Sequence, residues 1–174
     1  MFREVLAGAR SQFGEDHPHT LSVMFDLAGV LMARENLAGA EPLLRSVLVG
    51  RRSRFTDQHP VTIQAMYTLA SCLCRDGAHP AAEALYDEAR RIADESLPAG
   101  HYVAAVLEFN YGGCMIQAER FDEAESHLLE HFPAIERQLG GDHYATLRAR
   151  KRIVELYERW GKPEKADEYR AKNP

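Results

Sequence analysis

A strict 42-residue period constrains the fold of this chain more than any other feature of its sequence. The most regular column consists of histidines, at His17, His59, His101 and His143. A second column, in the same register, consists of alanines, at Ala40, Ala82, Ala124 and Ala166. An acidic residue follows each of these alanines, and no gap is needed anywhere in the alignment. A period in this range predicts a repeat protein, in which each repeat buries its apolar face against its neighbours.

The apolar residues inside each repeat follow a helical spacing. In the first repeat they stand at i, i+3, i+4 and i+7, as Met24, Leu27, Ala28 and Leu31. A second helical stripe begins at Leu37, so each repeat is predicted to be a helix A, a short turn and a helix B. The predicted A helices lie near 18–34, 60–76, 102–118 and 144–160. The predicted B helices lie near 37–54, 79–96, 121–138 and 163–171.

The residues at the predicted helix ends have the expected chemistry. Asp16 and Asp142 suit N-caps, with the histidine of the period in the first helical turn. Gly77 and Gly161 suit helix C-termini, because glycine adopts a left-handed backbone without strain. The histidines of the period are therefore interpreted as parts of helix starts.

The register also predicts the organisation of the chain. We expect one array over residues 1–174, with repeats at about 17–58, 59–100, 101–142 and 143–174. Residues 1–13 match the end of a B helix, since Val5-Leu6 aligns with Val47-Leu48. The A helix of that leading repeat is missing, so Phe2, Val5 and Leu6 are expected to be partly uncovered and to invite end-to-end self-association. The last B helix is short and polar, as expected of a cap.

Composition excludes several classes of function. The net charge of −5 argues against a general nucleic-acid binder. No apolar run reaches the roughly 18–20 residues of a membrane span, and the start lacks the pattern of a secretory signal. Three cysteines, an odd number, do not form a disulfide framework, so a cytoplasmic location is predicted.

No pattern of residues predicts catalysis, a cofactor or a metal. The repeat histidines occur once per repeat, too far apart to share one ion. His127 and His131 stand at i, i+4 on the third B helix, but no further ligand pattern accompanies them. No phosphate-binding glycine loop and no nucleophile motif is present. We therefore predict neither an enzyme nor a bound cofactor or metal.

At this level of detail the chain resembles a known family. Gly14-Glu15-Asp16-His17-Pro18, Leu27-Ala28 and Ala40-Glu41-Pro42-Leu43-Leu44 are similar to the 42-residue tetratricopeptide (TPR) variant of kinesin light chains, which many bacterial proteins also carry. The resemblance implies an all-α fold, a right-handed α-solenoid of antiparallel helix pairs. It also implies that the A helices line a concave face that binds peptides or protein domains. In that family an asparagine before the Leu-Ala pair commonly holds the peptide backbone. Only Asn110 keeps it here, whereas Asp26, Thr68 and Arg152 replace it.

Aromatic residues recur on the predicted concave side of the A helices. Phe25, Tyr67 and Phe109 occupy one column, which Lys151 completes, and a column of small residues stands one turn further on, at Gly29, Ser71 and Gly113. Such rings beside small residues suit side-chain pockets of a protein interface. The alternative interpretation, packing of the rings between neighbouring A helices, stays open.

The fourth A helix carries a basic stripe. It consists of Arg148, Lys151, Arg152 and Arg159, at i, i+3, i+4 and i+11, and Glu155 interrupts it. These charges suit an acidic residue or a free C-terminus of a ligand. The alternative is a solvated stripe that pairs internally with Glu155 and Glu158.

Two hypotheses of function follow. The first is a scaffold that binds a peptide or protein domain along the A-helix groove. The second is a C-terminal regulatory or self-associating part of a larger signalling protein such as a Ser/Thr kinase. Neither hypothesis involves nucleic acid or a membrane.

Overall fold

A computed structural model describes residues 2–171 of the chain, with side chains from residue 4 onward. Residues 1 and 172–174, which the predicted array includes, lie outside the described residues. No described helix combines the length and the apolar character that crossing a membrane would require. Within the described part there are nine helices and no strand. In chain order they are α1 (Phe2–Phe13), α2 (Pro18–Ala33), α3 (Leu37–Phe55), α4 (Pro60–Arg75), α5 (His79–Ser96), α6 (Tyr102–Gln117), α7 (Phe121–Leu139), α8 (Tyr144–Arg159) and α9 (Pro163–Arg170).

The predicted helices are confirmed, with ends that differ by one residue at most. The A helices are α2, α4, α6 and α8, and the B helices are α3, α5, α7 and α9. The short last B helix and the helix at the start of the chain are also confirmed. The chain forms two compact units, residues 1–96 with α1–α5 and residues 97–174 with α6–α9. The predicted repeat boundaries within a single array stay predictions.

Each histidine of the 42-residue period caps an A helix. The Nδ1 atom of His17, His59, His101 or His143 accepts a hydrogen bond from the backbone N–H two residues later, at 3.2 Å in all four helices. The ring nitrogen thus satisfies one of the unpaired N–H groups of the first turn, as the oxygen of an N-cap serine would. The prediction of Asp16 and Asp142 as N-caps is therefore wrong by one residue, because the histidine itself is the N-cap.

Each A helix ends at a residue with a left-handed backbone. This residue is Glu35, Gly77, Glu119 or Gly161, with φ of 57°, 86°, 60° and 71°. Around Gly77, the N–H of Ala78 bonds to the carbonyl of Leu73 at 2.9 Å, and the N–H of Gly77 bonds to that of Cys74 at 3.1 Å. These paired bonds form a Schellman motif, which confirms the predicted role of Gly77 and Gly161. Two glutamates occupy the same conformation at a steric cost.

Glu119→Gly should therefore stabilise the protein. A left-handed conformation costs a residue with a Cβ atom about 1–2 kcal/mol, while the greater freedom of an unfolded glycine removes part of the gain. We expect the free energy of unfolding to rise by about 0.5–1 kcal/mol in urea denaturation. Gly77→Ala is the reciprocal control and should lower it, and a fall in both variants would contradict this account of the helix ends.

Close approach of the A and B helices forms the core of each unit. In the N-terminal unit α2 packs on α1 and α3, and α4 packs on α3 and α5; in the C-terminal unit α7 packs on α6 and α8, and α8 packs on α9. Every alanine of the repeat column has no exposed surface. At Gly112 of α6, an added Cβ would lie 3.0 Å from the side chain of Leu128 on α7. Small residues thus set the distance between helix axes.

The start of the chain is covered unevenly. Val5 of α1 is 49% exposed, although its repeat equivalents Val47 and Ala89 have no exposed surface. This agrees with the prediction for Val5, while the side chain of Phe2 lies outside the described residues. The same prediction is wrong for Leu6, which is 5% exposed. The packing of α1 on α2 covers one side of α1 only.

The C-terminal unit departs from the apolar core pattern at one column. Met24 and Met66 are fully buried, but their repeat equivalents are Glu108 and Arg150. Glu108 lies 3.1 Å from Nδ1 of His127 on α7, and Arg150 lies 2.5 Å from Glu136 on the same helix. Each charge that enters the core column thus has a polar partner on the facing helix, as burial requires.

The last helix is anchored by a carboxylate shared between three helices. Oε1 of Glu125 on α7 accepts hydrogen bonds from Lys165 Nζ of α9 at 2.7 Å and from Tyr157 Oη of α8 at 2.9 Å. The bond from Lys165 is the main reason that the pKa of Glu125 lies below its usual value, against the opposing effect of burial. Burial, and next the bond to Glu125, raise the pKa of Tyr157.

Glu125→Gln should therefore lower the free energy of unfolding by an amount that depends on pH. A carboxyl whose pKa is lowered on folding stabilises the fold above its unfolded pKa, and this contribution is lost as the pH falls through the folded pKa. At pH 7 we expect a loss of about 1–2 kcal/mol in urea denaturation, because a charged acceptor of two hydrogen bonds is removed. The difference from wild type should vanish well below pH 4.5. Glu164→Gln, at an exposed position of α9, is the control; an equal loss at all pH values would contradict the assignment.

Candidate ligand-binding face of the A helices

The outward sides of the A helices carry four repeat-equivalent positions in each of the two units, and we call each set of four the ligand face of its unit. None of these positions is buried, in contrast to the neighbouring core column of Leu27, Leu69, Tyr111 and Ile153. The first two helices present short or neutral side chains apart from one carboxylate, whereas the last presents two arginines. The eight residues are Ser22 and Asp26 on α2, Gln64 and Thr68 on α4, Val106 and Asn110 on α6, and Arg148 and Arg152 on α8.

The aromatic column predicted beside this face is largely covered. Tyr67 is 8% exposed and Phe109 is 5% exposed, whereas Phe25 is half-buried. Tyr67 and Phe109 therefore have little surface to offer a ligand directly. Phe109 instead lies against the guanidinium of Arg152.

The small residues of the predicted pocket floor differ in their surroundings. A Cβ added to Gly29 would meet nothing within 4 Å. Ser71 is engaged with the hydroxyl of Tyr86 at 2.7 Å. A Cβ on Gly113 would lie 2.8 Å from the guanidinium of Arg152, which therefore already covers that glycine. The three positions do not form one shared floor.

In the C-terminal unit, Arg152 reaches from α8 across to α6. Its guanidinium carbon lies 5.7 Å from the ring centre of Phe109, and its Nη1 donates to Oδ1 of Asn110 at 3.1 Å. The Nδ2 of Asn110 in turn donates to the carbonyl of Val106 at 2.7 Å. The amide of Asn110 thus holds an arginine, and both of its polar atoms are engaged within the chain.

A groove of about 570 Å³ opens beside Arg152. Arg148 and Lys151 are exposed, and no described residue forms an ion pair or a side-chain hydrogen bond with either of them. Both carboxylates in the groove are engaged: Glu158 pairs with Arg170, which also lines the groove, and Glu155 accepts a hydrogen bond from Gln117. Arg148 and Lys151 are therefore not paired with Glu155 or Glu158 among the described residues, whereas Arg152 is engaged within the chain. The groove is lined by Arg148, Lys151, Arg152, Val154, Glu155, Glu158 and Arg170.

The N-terminal unit contains a cation that the sequence analysis did not single out. Arg51 of α3 is 7% exposed, and its guanidinium carbon lies 4.4 Å from the ring centre of Phe25 on α2. Its Nη1 donates to the carbonyl of Val61 at 2.7 Å and to Oε1 of Gln64 at 3.4 Å, both on α4. Burial lowers the pKa of Arg51, although the nearby Tyr67 and Asp26 oppose this effect.

The repeat register contains the signal that could have revealed Arg51. Its equivalents are Ala9, Ala93 and Ile135, all of which are buried and apolar. A charged residue in an apolar column is an exception that needs a physical reason. Arg51 is therefore recognisable in the sequence as the one charged residue of this apolar column.

The fold defines a class of protein, the α-helical repeat proteins. A sequence profile of the tetratricopeptide repeat family matches residues 26–95 and 102–170. The chain belongs to the tetratricopeptide repeat family. No curated protein sequence matches it significantly.

Solved structures of kinesin-light-chain-like repeats share this fold. A variant of a putative kinesin light chain from Podosopora anserina, with nearly identical TPR-like repeats, is 19% identical to this chain. The match has a TM-score of 0.64 and covers 98% of this chain and 80% of the other. BtubC (BKLC) from P. vanneervenii is 20% identical, with a TM-score of 0.68 and coverage of 99% and 67%. At this level of identity the likeness concerns the fold alone, and it agrees with the predicted resemblance.

Proposed function

We propose that this protein is a cytoplasmic interaction scaffold, not an enzyme, and that it binds a peptide or a segment of a protein domain on the ligand face. Tetratricopeptide repeats generally mediate contacts between proteins. The observation that carries the proposal is the cationic groove on α8. Its contact residues are Arg148, Lys151 and Arg152, with Asn110 beside them; in the N-terminal unit Asp26 and Thr68 lie on the corresponding positions.

The charge of the groove supports an acidic ligand group. Four cations and two carboxylates line it. Arg170 pairs with Glu158, and Glu155 accepts a hydrogen bond from Gln117. The remaining positive charge comes from Arg148, Lys151 and Arg152. The groove therefore has an excess of positive charge, although the chain as a whole has a net charge of −5. A carboxylate of Asp, Glu or a peptide C-terminus matches the fork of an arginine side chain.

The fixed position of Arg152 supports the same proposal. Phe109 lies under its guanidinium and Asn110 accepts one of its hydrogen bonds, so the side chain is ordered before a ligand arrives. Binding then loses less conformational entropy than it would with a freely moving arginine. The buried ring of Phe109 contributes in this indirect way.

A display library of random peptides, selected on the full chain, tests the proposed function. We expect the enriched peptides to share an Asp, a Glu or a free C-terminal carboxylate. Their affinity should fall as salt is raised, because exposed charge pairs are screened. Enrichment of basic peptides, or of none, would contradict the proposal.

Self-association, within a larger signalling protein such as a Ser/Thr kinase, is a second candidate function. The exposed Val5, in a column whose other aliphatic members are fully buried, favours it. Under this hypothesis a second copy covers α1, and light scattering at high concentration detects dimers that Val5→Glu abolishes. A wild-type protein that stays monomeric under these conditions would rule it out.

A further inference from the structure

Resting on the proposed function, we propose that Arg51 and Phe25 form a second carboxylate-binding subsite, on the ligand face of the N-terminal unit. Arg51 is then a specificity-determining residue that a B helix supplies to a surface otherwise built by A helices. Its ligand is a carboxylate of the bound peptide, from an Asp or Glu side chain or from a free C-terminus.

The two units place a guanidinium over the same repeat position by different routes. Phe25 and Phe109 are repeat equivalents, 84 residues apart. Arg152, on the next A helix, covers Phe109. Beside Phe25, the repeat position equivalent to Arg152 is Thr68, whose side chain is uncharged and too short to lie over the ring. Arg51 of α3 covers Phe25 instead.

In the sequence, an arginine stands at either the A-helix position or the B-helix position beside the phenylalanine, and not at both. Where Arg152 supplies the cation, the B-helix position equivalent to Arg51 is Ile135, an ordinary core residue with 2% exposure. Where Thr68 replaces the arginine, the B helix carries Arg51. The feature that the units share is therefore a cation over an aromatic ring, and not a particular side chain at a particular position.

Packing alone does not account for Arg51. Its column equivalents Ala9 and Ala93 are buried without any polar group, so an alanine fits the same position of the fold. Removal of a guanidinium from water is costly, and only the neutral oxygens of Val61 and Gln64 accept its hydrogen bonds. The ring of Phe25 and the nearby carboxylate of Asp26 offset part of this cost. The proposed subsite gives the rest of it a function.

The unused donors of Arg51 identify the ligand chemistry. An arginine has five N–H groups, and the described bonds use only those of Nη1. No residue within the described range accepts a hydrogen bond from Nε or Nη2. Neighbouring N–H groups of this kind match the two oxygens of a carboxylate. The ring of Phe25 and the bond to Val61 hold the fork in place, so little order is lost on binding.

A double-mutant cycle on the full chain tests the subsite. Peptides selected from a random library on wild type are measured by calorimetry against wild type, Arg51→Ala and Arg45→Ala. Arg45 lies on the same helix, is exposed, and pairs only with Glu41 among the described residues, so it serves as the matched control. Each peptide is also made with Asp or Glu replaced by Asn or Gln, and separately with an amidated C-terminus; these two arms distinguish a side-chain from a terminal carboxylate.

We expect Arg51→Ala to weaken the selected peptides by about 10- to 100-fold, which is the range of a charge-assisted hydrogen bond. The loss should disappear in the peptide whose interacting carboxylate has been neutralised, while Arg45→Ala has no effect. Thermal unfolding should show Arg51→Ala to be folded, as Ala9 and Ala93 indicate.

The outcomes separate the subsite from the proposed function. Peptides that bind Arg51→Ala as tightly as wild type overturn the subsite and leave the scaffold function intact. A loss that is the same for the charged and the neutralised peptides assigns Arg51 to packing and also overturns the subsite. A library that yields no binding peptide overturns both proposals.

Discussion

Ala124→Leu should lower the free energy of unfolding by about 1–3 kcal/mol, the range for overpacking of a closed core. Ala124 lies on α7 with no exposed surface, and its equivalents in the other three repeats are equally buried. A leucine there has three more carbon atoms to place. Because Gly112 already brings α6 within contact of Leu128, the two helices have no room for them and their axes must separate.

Urea denaturation followed by circular dichroism measures this effect, with Ala84→Leu as the control. Ala84 lies within a B helix of the other unit and is exposed, so the same substitution should change the unfolding free energy by less than about 0.5 kcal/mol. If the two variants lost equal stability, the alanine column would not be what sets the spacing of the helices.

The double substitution Arg148→Glu with Arg152→Glu should weaken binding of the selected peptides by at least about 100-fold. It replaces two cations of the groove by carboxylates. An acidic group of the ligand is then repelled by these two carboxylates instead of being attracted by two arginines. Loss of the bond from Arg152 to Asn110 adds a second cost, because the preformed arrangement disappears. Isothermal calorimetry at fixed ionic strength measures the change.

Arg34→Glu with Arg137→Glu is the matched control for this reversal. Both arginines are exposed, lie outside the groove and change the net charge of the protein by the same amount. If the control lost as much affinity as the groove variant, the effect would come from the overall charge. If neither lost affinity, the α8 groove would not be the binding surface.

The regular part of this protein was predictable from the sequence, since the same physical demand recurs in every repeat. Burial of an apolar stripe specifies the helices, and the column represented by Ala124 specifies how closely they pack. The histidine column was correctly interpreted as helix-start structure. The detail of the cap was not, because His17 uses Nδ1 in a role that sequence rules assign to Asp16.

The candidate site was predictable only in part, because it depends on where long side chains end. The position of Arg148 on an exposed helix face follows from helical geometry. That Arg152 lies over Phe109 does not, since its side chain can extend in several directions. Arg51 was hidden for the same reason: it belongs to a core column by sequence, but its guanidinium extends to Phe25 of a neighbouring helix.

Chemical-shift mapping of a selected peptide onto the full chain tests the central claim most directly. If the ligand face of the A helices binds the peptide, the backbone amides of Asn110, Arg148 and Arg152 should shift most within the C-terminal unit. The amide resonances of Ser126 and Glu130, which are exposed on the B helix α7, should not shift. Shifts centred on α7, with α8 unaffected, would contradict the proposal that this protein binds its partner through the A helices.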